Sequence, residues 1–296
     1  MQFGKIEWNF KDIPYGPDAC QKLDMACGKK DVHAIVYIHG GAYFKGNKSQ
    51  YPSFLAGFSE NNLIASINYR VITVDNAVRL DDILSDVNQA LTKILKLSSE
   101  NGINVKDFIL IGHSAGGHIA LLCGFDYFKN DERIKIAACV SLAGPADFSD
   151  DIGWSSMAMW GSDLKERLGF FSWMGTRLTG NSIELTQPNW TKQKNYAKFK
   201  KHIEDISPVT YVSKMKKLPP TLLVHGRRDD QVPYSNAVRL KAALRDASVP
   251  HKLITPGVGD HLLGGQVISE NEPVLYEDQS WVNDAMDWMK AYLSAV

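Results

Sequence analysis

A glycine-flanked serine stands between two apolar runs in the stretch ILIGHSAGGHIALL (109–122). The run before the serine predicts a strand and the run after it predicts a helix, so Ser114 lies on a sharp strand-to-helix turn. Gly112 and Gly116 have no side chains, which lets strand and helix approach closely while Ser114 adopts a strained backbone conformation. The helix begins with its free N–H groups and positive dipole end beside the serine hydroxyl. This layout is typical of a nucleophile elbow, a turn that lifts a serine above the edge of a sheet.

Strand-like and helix-like patterns alternate along the rest of the chain. β-type runs fall at residues 34–39, 63–69, 108–112, 136–142, 221–225 and 251–254. Helical patterns lie at residues 80–95, 114–128, 234–247 and 278–293. This alternation predicts an α/β fold with a mainly parallel sheet and helices on both faces. Residues 7–10 and 21–26 are expected to add an antiparallel pair at one edge, which gives eight strands in a single domain over residues 1–296.

One segment, at about residues 147–207, interrupts the alternation. It is rich in tryptophan, methionine and phenylalanine set among glycine and serine, with no obvious strand–helix unit. An irregular segment of this length is usually functional or an embedded subdomain. Two interpretations stay open: the aromatic side chains line a substrate pocket beneath a cap, or they attach the insertion to the main domain. The same segment could also form a dimer interface.

The composition excludes several classes of function. The chain has 33 Lys and Arg against 33 Asp and Glu, so no excess charge recruits nucleic acid or an anionic membrane. No window approaches the roughly 18 apolar residues of a membrane-spanning helix. Residues 1–7 lack a signal-peptide pattern, so we expect a cytoplasmic protein, although a removed signal peptide would leave the same sequence. The four cysteines have no metal-binding spacing, and Cys20 could bridge to Cys27 only in an oxidising compartment.

The serine needs a base, because a hydroxyl is a weak nucleophile until a neighbouring group removes its proton. Of the eight histidines, His261 stands out in a glycine-rich loop after the last predicted strand, PGVGDHLLGG (256–265). Loops that follow parallel strands emerge at the carboxyl edge of the sheet, where ligands bind. His39 lies near the same edge and is expected to fix its own loop by hydrogen bonding instead of acting as the base.

The base in turn needs an acid to orient it. The predicted strand at residues 221–225 runs into GRRDDQVP (226–233), whose carboxylates also emerge at the carboxyl edge. Either Asp229 or Asp230 could orient His261 and stabilise its imidazolium form. The chain order of serine, aspartate and histidine is that of α/β-hydrolases and differs from the two other serine-hydrolase orders.

A glycine loop supplies the remaining part of such a site. The strand at residues 34–39 is followed by Gly40-Gly41-Ala42-Tyr43. Backbone free of bulky side chains can turn its N–H groups toward a developing oxyanion, together with the N–H of Ala115. Each donor of this kind typically contributes about 3 kcal/mol of transition-state stabilisation.

These motifs together resemble the α/β-hydrolase carboxylesterases that carry a His-Gly-Gly loop and are related to hormone-sensitive lipase. The likeness is greatest with their short branch, which includes bacterial feruloyl/acetyl esterase-like proteins and kynurenine formamidase. It runs through DIPYG (12–16), QKLD (21–24), IHGGAY (38–43), GHSAGGH (112–118), SPVTY (207–211) and HGRRDDQVP (225–233). The resemblance implies that Asp229 is the acid, in preference to Asp230. It also implies that Gly41, Ala42 and Ala115 form the oxyanion hole.

The chain departs from the family pattern at three places. Ala42 replaces the third glycine of the fuller loop but keeps its N–H group. Only 38 residues precede His39, too few for the long N-terminal cap of the hormone-sensitive lipase branch, so the insertion at 147–207 is expected to do most of the covering. The histidine loop reads GDHLL (259–263) and not the commoner GHGF type, which leaves His261 as the candidate base.

We therefore predict a serine carboxylesterase that hydrolyses small esters, of short-acyl or acetyl/feruloyl type, through an acyl-enzyme intermediate. The reaction needs no metal or organic cofactor. An aryl formamidase that cleaves N-formylkynurenine would use the same residues, and a catalytically inactive binding protein is the alternative outside enzymes. Substrate contacts are expected from Tyr43, His113, Trp154 and Trp160. The expected partner is a small-molecule ester, with no nucleic acid or membrane, and both a monomer and a homodimer stay open.

Overall fold

The computed structural model describes residues 4–257, 259–276 and 280–293. Within these residues lies an eight-stranded sheet built of β1 (Phe10–Pro14), β2 (Lys22–Cys27), β3 (Asp31–Ile38), β4 (Leu63–Ile67), β5 (Asn104–His113), β6 (Ile136–Leu142), β7 (Thr221–Val224) and β8 (His251–Ile254). The spatial order is β1-β2-β4-β3-β5-β6-β7-β8. Strand β2 is antiparallel to both neighbours, and the pairs from β4 to β8 are parallel. The eight-stranded, mainly parallel sheet predicted from the sequence is confirmed.

The strand order reverses at β3, and this reversal positions the candidate site. The chain passes from β3 to β4 on one side and then crosses to β5 on the other side of β3. Ligands of open α/β sheets bind beyond the carboxyl ends of the strands at such a switch point. The loop that follows β3 and the turn that follows β5 are the glycine loop and the serine elbow.

Helices cover both faces of the sheet, as predicted. The helices are α1 (Leu80–Glu100), α2 (Ala115–Leu122), α3 (Asp151–Ser155), α4 (Leu164–Thr179), α5 (Lys200–Asp205), α6 (Pro208–Val212), α7 (Tyr234–Asp246) and α8 (Ser280–Leu293). Short 3-10 turns lie at Lys48–Gln50, Ser53–Phe58, Ala158–Trp160, Trp190–Lys192 and Tyr196–Lys198.

Alternate residues of β5 enter opposite cores, with Phe108 and Leu110 on the face of α1 and Ile109 and Ile111 on the face of α8. Both faces are therefore apolar, as expected for a buried strand.

Several predicted boundaries differ from the structure. The edge strand predicted at residues 7–10 lies at Phe10–Pro14 and contains an irregularity in its register with β2. Helix α2 ends at Leu122 and continues as a π-helical turn, Cys123–Tyr127. The last helix begins at Ser280 among the described residues, and residues 278 and 279 of the predicted helix lie outside them. A hairpin of two three-residue strands, β9 (Gly265–Val267) and β10 (Val274–Tyr276), was not predicted, because such short strands carry little pattern.

Residues 147–207, whose sequence shows no obvious strand–helix unit, contain regular structure, since α4 extends over 16 residues of the segment. Asp163 caps this helix by accepting the N–H of Glu166, and Gly180 ends it with a left-handed φ of 67°. Its buried face has a helical spacing: Leu168, Phe171, Met174 and Leu178. These residues belong to the same apolar cluster as α1, so packing onto the main domain accounts for much of the insertion.

Two further sequence expectations concern cysteines and membranes. Cys123 and Cys139 are buried core residues, as predicted, and Cys20 and Cys27 are free. In the part of the chain that the structure describes, no helix has both the length and the apolar character needed to cross a membrane. Across the same residues, no cluster of three or more His, Cys, Asp or Glu side chains could hold a metal ion.

Candidate active site

The elbow at Ser114 has the strained geometry that the sequence predicts. Ser114 has φ 53° and ψ −121° and lies between the last residue of β5 and the first residue of α2. A Cβ atom on Gly112 would come within 2.2 Å of the backbone of Gly116. One on Gly116 would come within 2.0 Å of the carbonyl oxygen of Ile38. Glycine is therefore required at both positions, because strand, helix and β3 meet backbone to backbone.

Three side chains from three loops meet at the elbow. The Oγ atom of Ser114 lies 3.0 Å from Nε2 of His261, and Nδ1 of His261 lies 2.8 Å from the nearer carboxylate oxygen of Asp229. Because an ionised carboxylate only accepts hydrogen bonds, Nδ1 carries the proton and Nε2 is free to accept the serine hydroxyl. The structure thus brings together the predicted nucleophile, base and acid in the order that general-base catalysis needs.

Two backbone N–H groups and His225 contact the carboxylate of Asp229 in addition to His261. Its Oδ1 accepts the backbone N–H groups of Gln231 at 2.9 Å and Val232 at 2.8 Å. Its Oδ2 also lies 3.2 Å from Nε2 of His225. Burial alone would raise the pKa of Asp229, but hydrogen bonds from His225 and His261 outweigh it and hold the pKa well below its usual range. Asp230 is exposed, so the geometry favours Asp229 as the acid.

The glycine loop after β3 has an unusual run of left-handed backbone. Gly41, Ala42 and Tyr43 have φ angles of 107°, 52° and 70°. Among the described residues, no acceptor is bonded to the N–H of Gly41 or Ala42. A Cβ atom on Gly40 would lie 3.2 Å from Cβ of Ser114, so the loop passes directly against the serine. The loop therefore offers unpaired N–H groups next to the nucleophile, beside the free N–H of Ala115 at the start of α2.

His39 fixes the start of this loop, as the sequence predicts. Its Nδ1 donates to the carbonyl oxygen of Gly40 at 2.7 Å, and its ring stacks on Tyr69 at 4.2 Å. The hydroxyl of Tyr69 donates to the carbonyl oxygen of His39. Burial lowers the pKa of His39 to about 4, so the ring is neutral at pH 7.

Two of the four side chains predicted to contact substrate are enclosed in the core. Tyr43 is buried, and its hydroxyl bonds Nδ1 of His118 at 2.8 Å, because its left-handed backbone turns the side chain toward α2. Trp154 is also buried: its ring stacks on Phe148, and its indole N–H donates to the carbonyl oxygen of Asp147. Both side chains serve packing within the core.

The two other side chains predicted to contact substrate, His113 and Trp160, bond the loops that carry His261 and Asp229. His113 donates from Nε2 to the carbonyl oxygen of His261 at 2.9 Å and so braces the histidine loop. Burial lowers the pKa of His113 to about 4. The indole N–H of Trp160 donates to the carbonyl oxygen of Gln231, in the loop that carries Asp229, at 2.8 Å.

The sequence interpretation missed two residues of the site. His118 falls within the helical pattern at residues 114–128, which indicates no role for it, yet it contacts Tyr43 of the glycine loop. Its spacing of four residues from Ser114 was the available signal, because it puts both on one helix face. His225 is the last residue of the predicted strand at residues 221–225, and no local pattern shows that its ring turns back to the carboxylate of Asp229.

A row of aromatic side chains links the glycine loop to the acid loop. Phe44, which follows Tyr43, lies 4.9 Å from Trp173, and Trp173 lies 6.1 Å from Phe170. Phe170 stacks on Trp160 at 4.6 Å, and Trp160 bonds the acid loop. All four rings are at least partly exposed. We call these residues the aromatic row.

Comparisons with known proteins give consistent similarities. Residues 23–244 match the family described as BD-FAE. The chain is 23% identical over 260 residues to the probable isoprenylcysteine alpha-carbonyl methylesterase ICME of Oryza sativa subsp. japonica, covering 82% of this chain and 56% of that protein. It is 24% identical over 275 residues to the esterase LipC of Mycobacterium tuberculosis, covering 86% and 60%. The chain thus spans little more than half the length of these curated relatives.

Solved structures show the same fold. A truncated carbohydrate esterase from gut microbiota superposes with a TM-score of 0.69 at 17% identity, covering 99% of this chain and all of that one. Esterase B from Lactobacillus rhamnosis superposes with a TM-score of 0.67 at 16% identity, covering 97% and 84%. The fold is that of the α/β-hydrolases.

Proposed function

This chain belongs to the BD-FAE family, and on that premise we propose that it is a serine carboxylesterase that hydrolyses small carboxylic esters. The observation that carries the proposal is the unbroken chain of contacts from Ser114 Oγ through His261 to the carboxylate of Asp229. The curated relatives support the type of bond, since their names describe a methylesterase and ester hydrolases.

In the proposed reaction, His261 Nε2 takes the proton of Ser114 as Oγ attacks the ester carbonyl carbon. The carbonyl oxygen becomes an oxyanion held by the N–H groups of Gly41, Ala42 and Ala115. When the tetrahedral intermediate collapses, His261 gives its proton to the departing alcohol and the acyl group remains on Ser114. Water then repeats the sequence, with His261 as base, and releases the carboxylic acid and the free serine.

The charge on Asp229 supports this cycle. Its carboxylate stays ionised because its pKa lies well below the usual range, so it faces the imidazolium form of His261 that arises at each proton transfer. The same hydrogen bond keeps the proton of the neutral ring on Nδ1. His261 therefore returns to the basic form after each half-reaction.

We further propose that the insertion at 147–207 acts as the cap and that the aromatic row faces the substrate. Ser114 is only 9% exposed and His261 only 4%, so little of either residue is open to solvent. The row reaches from the glycine loop, which passes against Ser114, to the acid loop, which carries Asp229. An ester of modest size fits such a site better than a polymer chain that has to pass through it.

The test is a panel of p-nitrophenyl esters of graded acyl length, with acetylated sugars, feruloyl esters and N-formylkynurenine added. We expect turnover of at least one ester class to fall by roughly 10⁴-fold or more in Ser114→Ala. A fluorophosphonate probe should label the wild-type protein and a Ser156→Ala control but not Ser114→Ala. Higher kcat/KM for N-formylkynurenine than for the esters would replace the esterase assignment by a formamidase, and absence of labelling in the wild type would favour a binding protein.

A further inference from the structure

Tyr43 occupies a backbone conformation that needs support. It is the third consecutive residue with a positive φ, and neither it nor Ala42 is a glycine. Such a backbone conformation costs free energy, so it persists only where contacts with the surrounding structure hold it. The carbonyl oxygen of Tyr43 accepts the N–H of Ile72 at 2.8 Å. Its buried side chain ends 2.8 Å from Nδ1 of His118. The hydroxyl of Tyr43 is therefore a side-chain anchor of the loop.

The direction of the bond between Tyr43 and His118 follows from the other nitrogen of the ring. Nε2 of His118 lies 2.7 Å from the carbonyl oxygen of Ile206, which only accepts, so Nε2 carries a proton. The ring is fully buried, and burial lowers the pKa of His118 to about 4, so the ring is neutral with one N–H. Nδ1 is then an acceptor, and the hydroxyl of Tyr43 donates to it.

His118 also lies close to the other half of the oxyanion hole. It stands one helical turn after Ser114, and its backbone N–H donates to the carbonyl oxygen of Ser114 at 3.1 Å. The contact with Tyr43 thus joins helix α2, which presents the N–H of Ala115, to the loop that presents the N–H groups of Gly41 and Ala42. We therefore expect a change in this contact to alter the distance between the two sets of donors.

We propose that Tyr43 and His118 form a positioning pair that holds the glycine loop in the conformation needed for oxyanion binding, with the carbonyl oxygen of Ile206 selecting the required tautomer of His118. The inference rests on the proposed function, because the loop matters only if an oxyanion forms there. Neither residue touches the reacting atoms. Ile206 lies at the end of the insertion, so the pair also connects that segment to the oxyanion loop.

The first test removes only the hydroxyl, with Tyr43→Phe. We expect kcat to fall by about 10- to 100-fold with KM within about twofold, because the lost support acts on the transition state and not on bound substrate. Affinity for a trifluoromethyl ketone, which forms a tetrahedral adduct on the serine, should fall in proportion to kcat/KM. Tyr51→Phe is the matched control: Tyr51 is an equally buried tyrosine whose hydroxyl accepts the N–H of Ile6, and its loss should leave kcat unchanged.

The second test distinguishes the role of Nδ1 of His118 from the role of Nε2. In His118→Gln the amide nitrogen reaches the position of Nε2 and can still donate to Ile206, but the acceptor for Tyr43 is lost. In His118→Asn the amide oxygen stands near the position of Nδ1 and restores that acceptor. We expect His118→Gln to lose as much kcat as Tyr43→Phe, His118→Asn to recover a large part of it, and the Tyr43→Phe/His118→Gln double variant to be no worse than either single one.

The proposal fails if Tyr43→Phe retains kcat within twofold of the wild type while the wild type hydrolyses esters. It also fails if His118→Asn is as impaired as His118→Gln, or if the losses follow Tm alone. If the wild type hydrolyses no ester, the proposed function fails separately. The hydrogen bond between Tyr43 and His118 is then tested by NMR of ¹⁵N-histidine-labelled protein. The resonances of His118 should show a neutral ring protonated at Nε2, and the Nδ1 resonance should shift in Tyr43→Phe. A ring protonated at Nδ1 would overturn the inference.

Discussion

Nε2 of His261 lies 3.0 Å from Oγ of Ser114, although 147 residues separate them along the chain. Strands β6 and β7 stand between the strands that carry the two loops. The side chains still meet, because parallel strands release their following loops at the same edge of the sheet. Asp229 comes from the loop after β7, between the other two, and reaches Nδ1 on the far side of the imidazole ring.

The role of Asp229 predicts a strong difference between two neighbouring carboxylates. Asp229→Asn removes the charge that orients His261 and lets the amide favour the wrong tautomer, so kcat should fall by roughly 10⁴-fold. Asp230→Asn is the matched control, since Asp230 is exposed, and its kcat should stay within about twofold of the wild type. Steady-state turnover of a p-nitrophenyl ester measures both. A larger loss in Asp230→Asn would move the acid to that residue.

Three buried histidines predict how stability depends on pH. Burial lowers the pKa values of His39, His113 and His118 to about 4, whereas in the unfolded chain they titrate near 6.5. Between these values the unfolded chain binds more protons, so the free energy of unfolding falls as pH falls from about 6.5 to about 4. Each histidine contributes a slope of up to about 1.4 kcal/mol per pH unit.

Urea unfolding at a series of pH values checks this slope. The urea midpoint should decrease steadily from pH 6.5 toward pH 4. Between pH 7.5 and 8.5 the three histidines should not change the midpoint. His118→Asn removes one of the titrating rings and should make the decrease shallower. Midpoints that stay level down to pH 5 would contradict the burial of neutral rings.

The parts of the site that the sequence could predict are those attached to strand ends. Ser114, Asp229 and His261 each follow a strand whose pattern is clear, and a parallel sheet places all three loops at one edge whatever the rest of the chain does. Glycines mark the close approaches, as Gly116 does against Ile38. The sheet itself is predictable for the same reason, since its central strands are apolar on both faces.

The parts that could not be predicted depend on packing between distant segments. Helix α4 has a regular buried face, but Gly169 and Gly175 within it lower its helical propensity and obscure the pattern. The side chain of Tyr43 points inward because its φ is positive, and a tyrosine at this position does not predict a positive φ. Trp154 and Trp160 look alike in sequence, and only the fold makes one a core residue and the other a contact of the acid loop.

The bond between Trp160 and Gln231 predicts that the insertion stabilises the acid loop. Trp160→Phe keeps a ring that can stack on Phe170 but loses the donor to the carbonyl oxygen of Gln231. We expect the free energy of unfolding to fall by about 1 kcal/mol. Urea denaturation gives this value, with Trp173→Phe as the control within the same aromatic row. Equal losses in the two variants would mean that the indole N–H of Trp160 has no special role.

The aromatic row predicts a size-dependent change in substrate binding. Trp173 is 39% exposed and lies between Phe44 and Phe170, so Trp173→Ala should affect stability little while removing one ring from the proposed substrate-facing surface. A lost ring contact of about 1 kcal/mol corresponds to a roughly fivefold rise in KM for esters with an aromatic or long acyl group. If the row contacts only the far end of a long acyl group, KM for the acetate ester should not change.

Met159→Ala is the matched control for that variant, since Met159 is a large apolar residue of the same insertion, 55% exposed, and outside the aromatic row. Its KM values should equal those of the wild type for every ester in the series. If Trp173→Ala raised KM equally for acetate and for the bulky esters, the row would act on the loops and not on the acyl group. If neither variant changed KM, the substrate would approach Ser114 from another side.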